Sequence, residues 1–479
     1  MQITVKEIQF YVREMPMRMP FKFGNVTIDS QTALHVAMDV ELADGRQARG
    51  WAADMLAPRW FDKDPNKTVA EGVRNLVEGA YAAAEAYRAG GRQNGFALWR
   101  AGYEAGRAWG LAQGIDPLLA SNGGALMERA MIDGLGVALN RPYFSLLQDN
   151  VLELDLAQIH PELAGVELSA LLPPAPLRSL HIRHTVGLVD PIRTVDIADD
   201  DRLHDGLPQS LQEYVTEQSI RYFKVKIGGD PVADFERLRQ IADLLDDGSS
   251  DYHISLDGNE QYSDVGDLSV LLERLEERLS VFYGRILYIE QPLDRSISLD
   301  AGLAGDIRGI AAKRPMLIDE SDETLETFRQ ALELGYTGVS SKSCKGLIKA
   351  LANNALVHQL NGTGRDCFIT AEDLTTVPVV ALQQDLVHVA ALGIPHLERN
   401  GHHYVRGLDH LSASERSLCI ERHGDLYRAE GDSGFLDIRE GQIEVGSLQG
   451  AGLGVDGVVD VAAMQPLDSW LRRIDEWVR

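Results

Sequence analysis

Along the first sixty residues the apolar positions fall at every second place. Leu34, Val36, Met38, Val40 and Leu42 alternate with His35, Asp39 and Glu41 among others, the period of a strand with one buried face. Ile3, Val5, Ile8, Phe10 and Val12 predict a strand before it, and Asp44-Gly45 marks a turn into a third. From about Thr68 to Leu139 the pattern becomes Ala-rich helix, with breaks expected at Gly90-Gly91 and Gly123-Gly124. Strands followed by a helical block imply an α+β domain over residues 1–150. Pro173, Pro174 and Pro176, and the acidic run from Asp199 to Asp205, read as surface loops, with a strand from His181 to Leu188 between them.

After that, one unit repeats: a short apolar strand ending in a charged residue, then an amphipathic helix. The strands are YFKVK (222–226), HISLD (253–257), LYIE (287–290), MLID (316–319), VSSK (339–342), FITAE (368–372) and HLE (396–398). Val232, Phe235, Leu238, Ile241 and Leu245 form the helical stripe after the first of these. The charged ends recur at roughly thirty residues, the spacing of a βα unit in an eightfold barrel. The strand near 182–188 completes the count of eight. The pattern predicts a (β/α)8 TIM-like barrel over 151–410, with a segment at 411–479 beyond it.

Barrel strands are parallel, so their C-terminal ends share one face, where the chemistry of this architecture sits. Asp257, Glu290 and Asp319 end three consecutive strands. Three like charges converging in a partly dry pocket repel unless a cation neutralises them, and an all-oxygen set suits Mg²⁺. Any one acid alone is as well explained as a cap on the next helix; three at barrel spacing favour the metal. Lys224 and Lys226 are two apart on one strand, so both side chains leave the same face, ~6.6 Å apart. Two such ammoniums lower each other's proton affinity, which would free one amine to act as a base. Lys342 ends the strand four further round, across the mouth. Bases on two sides of a substrate, with a cation between, can take a proton from one face and return one to the other.

Composition narrows the partners. The 479 residues hold 46 Lys and Arg against 72 Asp and Glu, a net charge of −26, which repels phosphate backbones and anionic lipid. Neither nucleic acid nor a membrane is expected as a partner. Three cysteines, Cys344, Cys367 and Cys419, make no disulfide framework or CxxC pair and read as buried apolar residues. MQITVKEIQF lacks the apolar run of a signal peptide, and no stretch reaches 18 uninterrupted apolar residues, so a cytoplasmic location is expected.

On these residues the chain resembles the enolase superfamily, in its mandelate racemase/muconate lactonizing enzyme branch and the lysine-pair, KxK-type subgroup. The matching runs are KVKIGG (224–229), SLDGNEQYS (255–263), YIEQPL (288–293), IDES (318–321) and the strand of Lys342. ERAMIDGLGVALNRP (128–142) looks like the helix joining cap to barrel, and GQIEVGSLQGAGLGVD (441–456) like the tail that returns to complete the capping domain. The resemblance implies one Mg²⁺ per site on Asp257, Glu290 and Asp319, with Glu320 the alternative to the third. It makes Lys226 the base, Lys224 the neighbour that tunes it and Lys342 the opposing acid/base. It places substrate contacts at Phe21, Phe23 and the Trp51 to Met55 loop, Asp54 and Met55 included, and favours a homo-oligomer. Glu372 and Glu398 are candidates for substrate polar groups, with burial against an Arg or Lys as the competing reading.

The implied activity is removal of the α-proton of a small carboxylate substrate through a Mg-stabilised enediolate. The outcome would be racemisation or epimerisation, cycloisomerisation or, if a β-hydroxyl departs, dehydration of an acid sugar. A non-catalytic binding relative that keeps the barrel is the alternative from another class. The chain departs from the resemblance in a helical insertion near 68–118, in extra loop at 160–180 and 199–205, and in SCKG after Lys342, which makes Lys345 a rival second base. Glu372 stands where a histidine would mark the His–Asp pair of mandelate racemase. His402 and His403 argue little for zinc, since no soft ligand is near them.

Overall fold

The alternating segment becomes an antiparallel sheet in the computed structural model, which describes residues 1–23, 26–248, 251–455 and 457–477. Strand β1 (Gln2–Phe23) pairs with β2 (Val26–Leu42), and β2 with β3 (Gln47–Met55). β1 runs well past Val12 because its far half is paired too: Arg13 to Pro16 oppose Ala33 to Ser30, and after an irregularity Phe21 to Phe23 rejoin the ladder. Gln465 and Pro466 pair with Val12 and Tyr11, so the C-terminal segment adds a strand to this cap sheet.

Three helices cover the sheet: Val69–Ala89, Gly95–Gln113 and Pro117–Leu139. Thr68 and Glu71 cap the first reciprocally, and Asp116 with Pro117 opens the third. The second ends at Gly114, whose φ of +64° suits a residue without Cβ. The break expected at Gly123-Gly124 is absent, because both glycines lie inside the third helix. A Cβ on Gly123 would stand 2.3 Å from the carbonyl oxygen of Gly79, so this glycine lets two helices touch rather than turning the chain.

The barrel strands are Ser179–Val186, Tyr222–Lys226, His253–Asp257, Ile286–Glu290, Met316–Ile318, Gly338–Ser341, Phe368–Ala371 and His396–Arg399. Each is parallel to the next, and the eighth closes on the first through Leu397↔Ile182. Phe223, Val225, Ile254, Leu256, Ile289 and Val339 are fully buried. Burying each such side chain contributes roughly 1.5–3 kcal/mol, which pins the strand register. Register then dictates the mouth: Lys226, Asp257 and Glu290 fall on one rung, since Lys226 pairs with Asp257 and Asp257 with Glu290. Cys344, Cys367 and Cys419 are buried and unpaired. No described helix is long and apolar enough to cross a membrane.

Candidate active site

Beneath the mouth lies a floor of fully buried charge. Lys224 Nζ donates to Glu372 Oε2 at 2.7 Å, Glu290 Oε1 at 2.8 Å and Glu398 Oε2 at 2.9 Å, and stands 2.9 Å from Asp257 Oδ2. Burial alone would lower its proton affinity, but these four carboxylates outweigh that and hold the ammonium well above the ordinary lysine range. The expected mutual depression of Lys224 and Lys226 therefore does not free Lys224, which is enclosed by acids. Arg183 completes the floor, donating to Glu372 at 2.6 Å, Ser255 Oγ at 3.0 Å, Thr370 Oγ1 at 3.0 Å and the Ala371 carbonyl at 2.8 Å. Glu372 is thus buried against an Arg and a Lys and does not line the cavity above.

The rim is more sparsely paired. Lys226 Nζ donates to Asp257 Oδ2 at 2.6 Å, and Lys342 Nζ to Asp319 Oδ2 at 2.6 Å. Lys342 also sits 4.2 Å from the ring centroid of Trp60, a cation–π contact delivered by the cap. Burial works against its charge, but Asp319 outweighs burial and the Lys342 ammonium is held above its usual range. Lys345 donates to Ser340 Oγ at 2.6 Å and to Asp319 at 3.0 Å, so it braces the acid from behind while Lys342 faces the cavity. The loops after the acidic strands are strained: Asn259, Glu260 and Gln291 take φ of +42°, +69° and +32°. That turn lets Asn259 N donate to Asp257 Oδ1 at 2.9 Å and its side-chain amide to Glu320 Oε1 at 3.1 Å.

A cavity of about 60 Å³ lies between cap and barrel. Phe21, Gln31, Met55 and Trp60 line it from the cap; Lys226, Asn259, Lys342, Asp373, Glu398 and Asn400 line it from the barrel. The two halves are tied together. Lys63 Nζ donates to the Asn259 carbonyl at 2.7 Å and pairs with Glu260, while Arg295 donates to the Phe61 carbonyl at 2.8 Å. Phe21 packs on Tyr404 with ring centroids 4.4 Å apart. Of the expected cap contacts, Phe21 and Met55 reach the cavity. Asp54 does not, because Trp51–Met55 is the end of β3 rather than a loop, and neighbouring strand residues point oppositely. Met55 faces the site and Asp54 turns to an ion pair with Arg129. The side chain of Phe23 lies outside the described residues. Trp60, Gln31 and Asn400 were not legible in the sequence; the PRWF run at 58–61 was the one local hint, for Trp60.

Asp257, Glu290 and Asp319 stand on neighbouring strand ends, all fully buried. Asp257 and Glu290 both touch Lys224 Nζ, and Asp319 follows the next strand; among the described residues no three His, Cys, Asp or Glu side chains form a ready-made metal cluster. Lysines hold these acids instead. The donor chemistry still fits a hard cation, since every donor is oxygen and Glu290 Oε2 and Glu320 Oε2 are buried without a partner. Burial first, then Asp257 and Glu372, push the Glu290 carboxyl well above its usual range, and burial raises Glu320 as well. Surplus buried negative charge of this kind is what a divalent cation relieves.

The family described as enolase C-terminal domain-like matches residues 206–458, more than half of the chain. The chain belongs to the enolase superfamily. No curated protein sequence matches it. Solved structures share its fold over nearly the whole length. The N-succinyl Arg/Lys racemase of Bacillus cereus ATCC 14579 is 17% identical, with a TM-score of 0.59, covering 99% of this chain and 98% of its own. The dipeptide epimerase of Enterococcus faecalis V583, complexed with Mg and a dipeptide, is 15% identical, with a TM-score of 0.58 and coverage of 94% and 99%. An enolase from Bradyrhizobium, complexed with magnesium and mandelic acid, is 14% identical, with a TM-score of 0.58 and coverage of 95% and 96%.

Proposed function

We propose that this chain is a metal-dependent, lysine-pair enzyme that removes and returns the proton α to a carboxylate, racemising, epimerising or cycloisomerising a small acid. One observation carries the reading: Lys226 and Lys342, from the second and sixth barrel strands, line the same cavity, each with its Nζ on a different acid. Asp257, Glu290 and Asp319 would hold Mg²⁺, with the unbonded oxygen of Glu320 beside the third. When bound, the cation would supply positive charge to the substrate carboxylate, which gains negative charge as the α-proton leaves.

The chain's own residues do the rest. Lys342 rests as the ammonium, so in one direction Lys226, as the free amine, takes the α-proton and Lys342 gives one to the opposite face. One N–H bond forms at Lys226 as the C–H bond breaks; one N–H bond breaks at Lys342 as the new C–H bond forms. The reverse direction exchanges the roles. Lys224, an ammonium enclosed by four acids, takes no part in the proton transfer and offsets part of the floor's negative charge. Trp60, Met55 and Phe21 exclude water from above.

Deuterium uptake at the α-carbon in D₂O tests the reading, using the Mg²⁺-loaded protein and a panel of acid sugars, amino acids and N-acyl amino acids. Lys226→Ala and Lys342→Ala should each slow uptake at least ~10³-fold, about 4 kcal/mol of barrier. Each should also retain exchange from one enantiomer longer than from the other. Uptake that both variants leave unchanged, or none across the panel, removes the proposal.

A further inference from the structure

Two amides in the cavity wall take no part in proton transfer, and their oxygens are left unpaired. Gln31 on β2 and Asn400 directly after the eighth barrel strand are 5% and 2% exposed, and both line the cavity of Lys226 and Lys342. Gln31 Oε1 and Asn400 Oδ1 are buried with no hydrogen-bond partner. Leaving an acceptor so costs a folded protein free energy, which is why such atoms are few and ask for an explanation. The backbone of Asn400, by contrast, is fully used: its N–H donates to Asp373 Oδ2 at 3.2 Å, and its carbonyl accepts from His403 and Tyr404.

The acids beside these amides are already occupied. Glu398 accepts from Thr185 at 2.7 Å, from Lys224 at 2.9 Å and from Asp373 N at 2.8 Å, and Asp373 accepts from Thr376 N at 2.7 Å and Thr376 Oγ1 at 2.9 Å. Phe21, Met55, Leu56 and Trp60 make the remaining cap wall apolar. Among the described lining residues the only cations are Lys226 and Lys342.

We propose that Gln31 and Asn400 read an uncharged hydrogen-bond donor on the substrate, an amide N–H or a hydroxyl carried on the tail beyond the α-carbon. The pair selects against tails that end in a carboxylate or in hydrocarbon. This rests on the proton-transfer reading, which sets the α-carbon between the two lysines. A carboxylate tail would have to turn both amides to present their N–H groups and would find no spare cation near, and a hydrocarbon tail would leave both amide oxygens desolvated and unpaired.

The test compares matched tails on the Mg²⁺-loaded protein: glutamine against glutamate and 2-amino-5-methylhexanoate, and homoserine against norvaline. Deuterium uptake gives kcat/KM, and calorimetry gives binding. The donor-bearing acid of a set should be favoured roughly 30-fold over its isosteres, glutamine marking an amide and homoserine a hydroxyl. The volume-conserving double variant Gln31→Met with Asn400→Leu should erase that preference. Exchange without the preference, exchange favouring glutamate, or a preference that survives the double variant overturns the inference and leaves proton transfer standing. No exchange, but tighter binding of the donor tail that the double variant abolishes, sustains the inference and counts against proton transfer. Neither exchange nor such binding overturns it.

Discussion

The floor of the barrel mouth and its rim use the same residue types to opposite ends. Lys224 and Lys226 are two residues apart on one strand, yet Lys224 touches four carboxylates and Lys226 donates to one. Lys342, across the mouth, has one carboxylate at the cavity side and the ring of Trp60. A lysine enclosed by acids is a structural cation, because losing its proton would leave several buried charges uncompensated. A lysine with a single acid and an open side is the better proton carrier. The number of acids around an ammonium, rather than its place in a motif, separates the two roles.

The sharpest way to break this contrast is by stability. Lys224→Met should lower unfolding free energy by about 3–5 kcal/mol, since Glu372, Glu290 and Glu398 would lose a shared partner in the interior. Lys226→Met and Lys342→Met should each cost under about 2 kcal/mol in the same urea titration, because Asp257 keeps Lys224 and Asp319 keeps Lys345. Equal losses for all three would erase the difference between floor and rim.

Glu128 extends the comparison to a buried acid whose carboxylate accepts backbone N–H groups rather than a lysine. It accepts from Leu347 N and Ile348 N, joining the third cap helix to the barrel helix that follows Lys345. Burial pushes its carboxyl up from 4.5 to about 7, against the pull of those N–H groups. The folded protein then holds the proton more tightly than the unfolded chain. The stability this contributes is fully present below pH 4.5 and is lost as pH rises to about 7. The loss is about 3 kcal/mol, at 1.36 kcal/mol per pH unit. Glu128→Gln should flatten that slope in unfolding curves recorded from pH 4 to 8.

Magnesium titration should separate two neighbours on the rim. Asp319→Asn should weaken Mg²⁺ binding roughly 100-fold by calorimetry, about 2.7 kcal/mol, and Glu320→Gln no more than roughly 10-fold. The reverse order would move the third ligand to Glu320, whose Oε2 has no partner. The smallest effect is expected at Trp60. Losing the cation–π contact in Trp60→Leu should cost Lys342 about 1 kcal/mol of preference for its charged form. The alkaline limb of the exchange–pH profile should fall by roughly 0.7 unit, and Trp60→Phe should restore part of it.

Much of the architecture was legible locally. An apolar run that ends in a charged residue and recurs with an amphipathic helix needs no distant information, and it marked all eight barrel strands to within two residues at most ends. Gly123-Gly124 was misleading because a glycine pair reads alike in a turn and at a close helix crossing; the carbonyl of Gly79 decided between them. Asp54 and Met55 were grouped as one loop because the pattern did not reveal that β3 extends through both, which sends them to opposite faces.

The amino-acid order alone determined the barrel, the cap sheet and which acids and lysines end which strands, because periodicity and register are properties of consecutive residues. The folded molecule decided which lysine is encircled and which is open, that Trp60 covers Lys342, and that amides from β2 and from the residue after the last strand share one cavity. Those outcomes depend on the charges and dipoles that surround each group in space, and folding brings them from segments far apart in the chain.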